Sequence, residues 1–263
     1  EAIREGIDQA MSENQDLIVI GEGVPDPKSI FETTKGLQEK FGKSRVFDMP
    51  LSENGVTGIC IGAALNGTPV LMIHQRIDFS LLAMDQIINN AAKWHYMFNG
   101  QSTVPIVIRV IVGRGWGQGP QHSQNLQALF AHIPGLKVIT PATAKDAKGM
   151  MVAALKDKNP VIFIEHRWLH HIEDSVPEEM YFSELDKAQI LRQGSDVTIV
   201  ANSLMTIETM KAAAVLSEIG VNVEVVDLRS IKPIDLDTIL KSVSKTKKMI
   251  VVDSAWKTGG ISG

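Results

Sequence analysis

The chain has 263 residues, with 26 Lys and Arg against 30 Asp and Glu, so its formal net charge is −4. Apolar residues make up 44% and charged residues 21%, which excludes a disordered chain and predicts one or two globular domains. The slight acidic excess argues against a dedicated nucleic-acid binder.

Helices and apolar strands alternate through the first two thirds of the sequence. The hydrophobic pattern predicts helices at 2–11, 30–41, 53–65, 79–98, 123–131 and 144–156. It predicts strands at 16–22, 45–49, 69–74, 104–112, 136–140 and 160–165. Ser52 is the expected N-cap of the third helix. Because the strands are continuous Val and Ile runs, they indicate a parallel sheet covered on both faces.

The pattern breaks after Glu165 and then starts again. We assign residues 1–175 to a first domain, the polar residues 176–194 to a linker and residues 195–263 to a second domain. The second domain is predicted to contain strands at 196–201, 221–227 and 248–253 and helices at 205–218 and 234–241. Three strands are few for a free-standing sheet, so we interpret this domain as truncated.

No membrane span or exported location is predicted. Residues 54–75 lack Asp, Glu, Lys and Arg, but residues 66–69 interrupt them with turn formers, so a helix, a turn and a buried strand are expected. The charged, amphipathic start is unlike a signal peptide, and the lone Cys60 fits a reducing compartment. We expect a cytoplasmic protein, or a mitochondrial matrix protein in a eukaryote, with neither a membrane nor a nucleic acid as partner.

Several phosphate-binding and catalytic motifs are excluded by spacing. The loop GRGWGQG at 113–119 lies between a strand and a helix, but its alternating glycines do not satisfy G-x-G-x-x-G. The segment FGKS at 41–44 lacks the first glycine of a P-loop, and Ser123 lacks the surroundings of a hydrolase nucleophile. The polar segments that remain follow strands, where open α/β sheets bind ligands. They are residues 21–23, 50–53, 74–79 and 113–124.

Four segments then carry a family resemblance. They are MPLSENGVTGICIGAALNGTPV, DFSLLAMDQIINNAAKWHYM, GPQHSQNLQALFAHIPGLKVITP and VVDLRSIKPID. In this order they closely resemble the beta subunit of the thiamine-diphosphate-dependent 2-oxo acid dehydrogenases, the first component of the pyruvate, branched-chain and acetoin dehydrogenase complexes. The resemblance covers residues 1–263. It implies an α/β fold, with a parallel-sheet pyrimidine-binding domain of the transketolase type and an incomplete transketolase-like C-terminal swivel domain.

The resemblance also implies an activity and a division of labour. The activity is oxidative decarboxylation of a 2-oxo acid, with acyl transfer to a lipoyl-bearing acyltransferase. In the family an alpha subunit holds the diphosphate and its Mg²⁺ through a GDG…N motif, and this sequence contains no GDG. We therefore expect this chain to hold the aminopyrimidine of thiamine diphosphate at an interface, in an assembly of two alpha and two beta chains.

Individual residues receive roles from the resemblance. Glu53 is expected to hydrogen-bond the aminopyrimidine ring nitrogen and to favour the imino tautomer, which acts as a base. Phe79 is expected to stack on the pyrimidine, with Leu51 and Glu22 at the same cofactor. His122, in the matching HSQ segment, is expected to face the reacting carbon and the substrate. Without the resemblance, the simpler interpretations are a helix-dipole glutamate, core side chains and a loop histidine without a role.

A structural K⁺ held by backbone carbonyls is also implied. The matching positions are Ile106, Ala154, Leu155, Asp157 and Asn159. The other interpretation of KDKNP is a helix end that meets a strand.

Two segments depart from the family pattern or stay unassigned. HQRIDF replaces a segment that usually begins with an acidic residue, so we assign His74 and Arg76 to the substrate, with added basic character near the cofactor. An arginine there suits a substrate carboxylate or phosphate, the alternative being a surface charge beside Asp78. His166 and His170 in HRWLHH have i,i+4 spacing without the glutamate of a zinc motif, and are expected to border the substrate pocket.

Two other functions stay open from the sequence. One is half of a split transketolase-like enzyme that moves ketol units between sugars, since it shares the fold and the cofactor. The other is a non-catalytic binding module. The retention of Glu53, Phe79 and His122 together argues against the second alternative.

Overall fold

Two sheets form the framework of the chain in its computed structural model, which describes residues 1–115 and 117–263, apart from the side chains of residues 29 and 30. Trp116, within the predicted glycine-rich loop, lies outside the described residues. The strands are β1 (Ile18–Gly21), β2 (Val46–Phe47), β3 (Val70–His74), β4 (Ile106–Val112), β5 (Lys137–Ile139), β6 (Val161–His166), β7 (Gln189–Arg192), β8 (Val197–Ala201), β9 (Val223–Asp227), β10 (Ser230–Lys232) and β11 (Met249–Val252).

Helices connect most of these strands. They are α1 (Ala2–Glu13), α2 (Leu37–Phe41), α3 (Glu53–Leu65), α4 (Ile77–Ser80), α5 (Trp94–Met97), α6 (Gln127–Ala131), α7 (Ala144–Lys156), α8 (Leu204–Glu218) and α9 (Leu236–Thr246). Within the described part of the chain, no helix has the length and apolar character needed to cross a membrane.

The first sheet has the order β10-β5-β6-β4-β3-β1-β2, and all its pairs except β10 with β5 are parallel. Separate apolar clusters cover its two faces, so β4 is buried along its whole length. The predicted parallel sheet with both faces covered is therefore confirmed. Parallel pairing brings the carboxyl ends of β1, β3, β4 and β6 to one edge, where the polar loops follow.

The predicted helix at 79–98 is interrupted. After α4 the chain forms a 3₁₀ turn at Leu81–Ala83, a π-helical segment at Gln86–Ala91 and then α5. The loop before β5 approaches this region so closely that a Cβ on Gly135 would lie 1.9 Å from the Ala92 carbonyl oxygen. Because tertiary packing of this kind and the polar Asn-Asn pair are invisible to hydrophobic periodicity, the sequence predicted one continuous helix.

Three further helix predictions need correction. Of the predicted helix at 30–41, only Leu37–Phe41 is α-helical, after a 3₁₀ turn at Ser29–Glu32. Only Gln127–Ala131 of the predicted helix at 123–131 is α-helical, because Gly119, with φ 70°, and Pro120 start a separate 3₁₀ turn at Pro120–His122. Ser52 occupies the N-cap position of α3, but its side chain makes no capping hydrogen bond.

The second sheet has four strands rather than the predicted three, in the order β11-β8-β9-β7. The additional strand, β7, lies inside the predicted linker and pairs antiparallel with β9. The short β10 was also missed, and it leaves the second half of the chain to extend the first sheet. Next to it, Arg229 Nη1 pairs with Asp146 Oδ1 at 3.0 Å, so the two halves are joined by backbone pairing and by a buried ion pair. The boundaries at 175 and 195 stay predictions.

Asp227, at the end of β9, gives the fold a pH dependence. Its Oδ1 accepts hydrogen bonds from Thr206 Oγ1 at 2.9 Å and from the Arg229 amide at 3.3 Å, while its buried Oδ2 has no hydrogen-bond partner among the described residues. Complete burial raises the pKa of Asp227 from 3.8 to about 7, although the two hydrogen bonds act in the opposite direction. The folded chain therefore binds a proton that the unfolded chain releases above pH 3.8, and stability falls as the pH rises from there to about 7.

We predict that Asp227→Asn relieves this penalty. Thermal unfolding should show a midpoint that is higher than in the unmodified chain at about pH 8, with a much smaller difference at about pH 5. Asp196→Asn is the matched control, because that exposed carboxylate accepts a bond from the Asn222 amide, which lowers its pKa. The control should be slightly destabilising at both pH values. A gain for Asp227→Asn that does not depend on pH would contradict the assignment.

Candidate active site

Loops from four parallel strands meet at one edge of the first sheet. Glu22 follows β1, His74 ends β3, Gly113 follows β4 and His166 ends β6. Glu53 is the first residue of α3, a 13-residue helix, and its side chain is buried. The partial positive charge of that helix terminus favours a carboxylate at this position.

Glu22 and Glu53 form a carboxyl pair. Burial raises the pKa of Glu22, and the charges of Glu53 and Asp48 and a hydrogen bond to the Glu53 carboxyl raise it further. Asp48 Oδ1 accepts the Gly23 amide at 2.8 Å, which fixes the chain beside Glu22. Glu22 Oε1 is buried and has no hydrogen-bond partner in the described part of the chain. A hydrogen bond between two carboxyl groups requires a proton on one of them, and that proton would be available for a hydrogen bond to a ligand.

Phe79 and His122 contact each other although they lie 43 positions apart in the sequence. Their rings lie edge to face, with centroids 5.3 Å apart and an interplanar angle of 89°. Both side chains are half-buried, so each keeps a surface that a ligand can contact. Phe79 is held by α4, and His122 by the 3₁₀ turn after the glycine-rich loop.

Leu51 is not part of the core, because its side chain is 85% exposed just before α3. A large apolar side chain in this position can cover a ligand or contact another chain.

His74 does not supply the positive charge that we expected. Only 3% of the residue is exposed, and burial lowers its pKa to about 4, so the ring is neutral near pH 7. Its Nε2 is buried without a hydrogen-bond partner among the described residues. The added basic character of HQRIDF therefore comes from Arg76.

Arg76 shares one acceptor with Arg167, a residue that the sequence analysis did not select. Arg76 Nε and Nη2 lie 3.2 and 3.1 Å from Gln118 Oε1, and Arg167 Nη1 lies 2.7 Å from the same oxygen. Arg167 is fully buried and also donates from Nη2 to the His122 carbonyl oxygen at 2.7 Å. Burial lowers the pKa of both arginines, although a guanidinium remains charged under ordinary conditions.

His166 and His170 lie near this edge, and both line a cavity of about 670 Å³; that they border the substrate stays a prediction. The His166 ring packs so closely on Gly113 that a Cβ there would lie 2.6 Å from Cε1, and its Nδ1 accepts the Trp168 amide at 3.2 Å. His170 stacks on Phe31 at a centroid distance of 4.4 Å. Among the described residues, no group of three or more His, Cys, Asp and Glu side chains could hold a metal ion.

A buried ion pair lies close to the site. Arg109, inside the apolar strand β4, pairs with Glu165 of β6, and Glu165 Oε2 lies 3.4 Å from His170 Nε2. All three side chains are largely shielded from solvent, and the cluster joins the middle of β4 to the end of β6 and to the 3₁₀ turn at Arg167–His171 that follows it. The sequence could have predicted this ion pair, because a single arginine within a buried apolar strand requires a partner of opposite charge.

Four of the predicted K⁺ positions, Ala154, Leu155, Asp157 and Asn159, lie at the end of α7 and in the turn to β6, and Ile106 is the first residue of β4. The Ala154 carbonyl accepts the Asp157 amide at 3.1 Å, and Asp157 Oδ1 accepts the Asn159 amide at 2.9 Å. Leu155 and Asp157 line a cavity of about 490 Å³. All five positions stay predicted ligands.

Comparisons with known proteins identify the family. Residues 1–171 match the pyrimidine-binding domain of transketolase, and residues 186–263 match the transketolase C-terminal domain. The beta subunit of acetoin:2,6-dichlorophenolindophenol oxidoreductase from Cupriavidus necator is 44% identical over 97% of this chain and 78% of its own length. The pyruvate dehydrogenase E1 beta subunit of Rickettsia felis is 41% identical over 99% of this chain and 80% of its own. The chain belongs to the family of 2-oxo acid dehydrogenase beta subunits.

Solved structures agree with this beta-subunit fold. An inactive beta4 tetramer of a split-gene transketolase superposes with a TM-score of 0.81 at 23% identity, over 99% of this chain and 81% of that chain. A transketolase mutant from Pichia stipitis gives a TM-score of 0.72 at 18% identity, over 98% of this chain and 39% of that chain. The predicted family, fold and oxidoreductase class are thereby confirmed.

Proposed function

We propose that this beta subunit acts with thiamine diphosphate in the oxidative decarboxylation of a 2-oxo acid and in transfer of the acyl group to a lipoyl carrier. The observations that carry the proposal are the Glu22–Glu53 pair at the start of α3 and the contact between Phe79 and His122, both in loops at the carboxyl edge of the first sheet. It rests also on the family membership, since the relatives named above are pyruvate and acetoin enzymes.

The described residues fit the aminopyrimidine half of the cofactor. Glu22 Oε1 is a buried polar atom without a hydrogen-bond partner among the described residues, and burial beside Glu53 raises the pKa of Glu22, which favours a proton on this pair. Glu53 would hold that proton toward the pyrimidine ring nitrogen, while Phe79 would offer its ring face and Leu51 its apolar side chain. Thiamine diphosphate, when bound, supplies the electron sink for loss of carbon dioxide from a 2-oxo acid.

The remaining half of the site belongs to a partner in this proposal. An alpha subunit would hold the diphosphate and Mg²⁺, because the GDG motif is absent here. Two alpha and two beta chains would form the enzyme, with a lipoyl-bearing acyltransferase as the acceptor protein. We further propose a structural K⁺ at residues 106 and 154–159, and a cytoplasmic or mitochondrial matrix location.

One observation favours the split transketolase alternative. Arg76 and Arg167 converge on one amide oxygen, and arginine pairs suit the phosphate of a sugar phosphate. Product analysis of the assembled enzyme separates the two functions, because ketol transfer lengthens a sugar, whereas the dehydrogenase releases carbon dioxide.

We predict that the isolated chain binds thiamine diphosphate poorly and that the complex with its alpha subunit binds it tightly. The chain offers contacts to the pyrimidine alone, and the charged diphosphate needs the cations of the partner. Calorimetric titration of the chain, and of the complex purified after co-expression, measures both affinities in the presence of Mg²⁺. Equally tight binding by the isolated chain would contradict the proposed division of labour.

A further inference from the structure

We propose that Asp253 and Lys232 of the second domain are positioning residues for His122, which they hold in place through the two ends of α6. We call these two residues the α6 clamp. The inference rests on the proposed function, in which His122 carries a proton, and it gives the second domain a part in the reaction of the first.

The segment that carries His122 has little regular structure of its own. Among the described residues between β4 and α6, the one helical element is the 3₁₀ turn at Pro120–His122, and α6 itself has only five residues. A helix this short does not persist in water without tertiary contacts. The place of His122 therefore depends on side chains that hold residues 122–131 from outside the segment.

The first domain holds the start of this segment. The His122 carbonyl oxygen accepts a hydrogen bond from Arg167 Nη2 at 2.7 Å, and Gln124 Nε2 donates to Asp78 Oδ1 of α4 at 2.7 Å. Both contacts precede α6. Within α6, Phe130 is buried in the apolar core of the first sheet, but apolar packing is not directional.

The second domain holds both ends of α6. At the first residue of the helix, Gln127 Nε2 donates to Asp253 Oδ1 at 3.1 Å, across 126 positions of sequence. At the other end, Lys232 Nζ donates to the Ala131 carbonyl oxygen at 3.0 Å and to the Ile133 carbonyl oxygen at 2.9 Å. The lysine thus binds carbonyl groups at the point where a helix end leaves them without intrahelical partners.

Each clamp residue is held by the fold of the second domain. Asp253 directly follows β11, and its Oδ1 also accepts the Ala255 amide at 3.1 Å, which helps to orient the carboxylate. Lys232 ends β10, the strand that pairs with β5 of the first sheet. Because α9 connects β10 to β11, the two clamp residues belong to one continuous unit.

Burial makes the contact between Gln127 and Asp253 costly to keep for stability alone. Gln127 is only 3% exposed, and both Gln127 Oε1 and Asp253 Oδ2 are buried without hydrogen-bond partners among the described residues. Buried polar atoms without partners cost free energy that an apolar pair would avoid. A hydrogen bond does fix distance and direction, so positioning explains this pair better than stability does.

The test measures the His122 segment and the reaction on the same assembled enzyme. Hydrogen–deuterium exchange, followed by mass spectrometry on the complex of alpha and beta subunits, reports on the amides of residues 121–131 without requiring turnover. We expect Asp253→Ala and Lys232→Met to raise exchange in this segment by about tenfold or more, the usual weight of a hydrogen bond to a charged group. Unchanged exchange in both variants would overturn the proposal.

Activity separates a positioning role from a general loss of stability. Asp253→Ala should lower acylation of a lipoyl domain by about 10–10²-fold, as a misplaced catalytic group does, and decarboxylation with an artificial electron acceptor by less. Added to His122→Ala, it should cause no further loss, because the clamp acts through the side chain already removed. Equal losses in the two assays, or additive losses in the double variant, would overturn the proposal.

Two further variants complete the test. Asp253→Asn keeps an acceptor oxygen for Gln127 and should restore most of the activity, whereas a loss as large as that of Asp253→Ala would contradict the clamp. Val223→Ala is the matched control, because Val223 is buried in an apolar cluster of the second domain that contains no residue of α6. It should lower the thermal midpoint and leave both the exchange of residues 121–131 and the ratio of the two rates unchanged.

The exchange measurement also separates this inference from the proposed function. Raised exchange in the clamp variants and not in Val223→Ala, in an enzyme that turns over no 2-oxo acid, would support the clamp and overturn the proposed reaction. Exchange raised equally by Val223→Ala would make the effect one of stability and would overturn the clamp.

Discussion

Glu53→Gln should lower the turnover of the assembled enzyme by about 10²–10⁴-fold, the usual contribution of a single acid–base group. The amide has the same shape as the acid, and it cannot share a proton with Glu22 in the way that two carboxyl groups do. Because glutamine nearly matches glutamate in size, the packing around the buried Glu53 side chain at the start of α3 should be kept, and the fold should survive. Turnover is measured with thiamine diphosphate saturating, and thermal unfolding is followed on the same preparation.

Glu39→Gln provides the control for this substitution. Glu39 is an exposed residue of α2, outside the site, and its change should leave turnover as it was. Activity of Glu53→Gln within about a factor of two of the unmodified enzyme would remove Glu53 from the acid–base role.

The sequence predicted the sheet well for a physical reason. Strands buried on both faces, such as β4 and β6, appear in the sequence as short continuous runs rich in Val and Ile. Runs of this length and composition indicate a buried strand rather than a helix. Strands of three or four residues at a sheet edge lack that signal. β7 is mostly half-exposed, and β10 is defined by its antiparallel partner β5, so both depend on tertiary contacts.

The site residues were predictable to different degrees. Glu53, Phe79 and His122 lie in segments with a family resemblance, and the structure brings Phe79 and His122 into contact. Arg167 was missed because it stands in a polar stretch that resembles a linker, and its burial against Gln118 arises only when β6 meets the glycine-rich loop. His74 was misjudged for the same reason, since depth of burial decides its charge.

His122→Ala is the second substitution with a large expected effect, and it should separate two half-reactions. The pyrimidine contacts are expected at Glu53 and Phe79, so cofactor affinity should persist. Decarboxylation, followed with an artificial electron acceptor, should partly survive, because the cofactor supplies the electron sink. Acylation of a lipoyl domain should fall further, by about 10²–10⁴-fold, because the sulfur that leaves the opening dithiolane ring must receive a proton.

Both rates, decarboxylation with the artificial acceptor and acylation of the lipoyl domain, are measured on one preparation of the His122→Ala enzyme. The His122 imidazole beside Phe79 has ring nitrogens that can take up and release a proton, and alanine has none, so a proton-transfer role predicts unequal losses. His132→Ala is the control, because His132 is exposed beyond α6 and should leave both rates unchanged. Equal losses in the two assays would make His122 a general pocket residue that shapes the site beside Arg167. No loss in either assay would leave it a loop histidine, and the proton for the lipoyl sulfur would have to come from the partner subunit or from water.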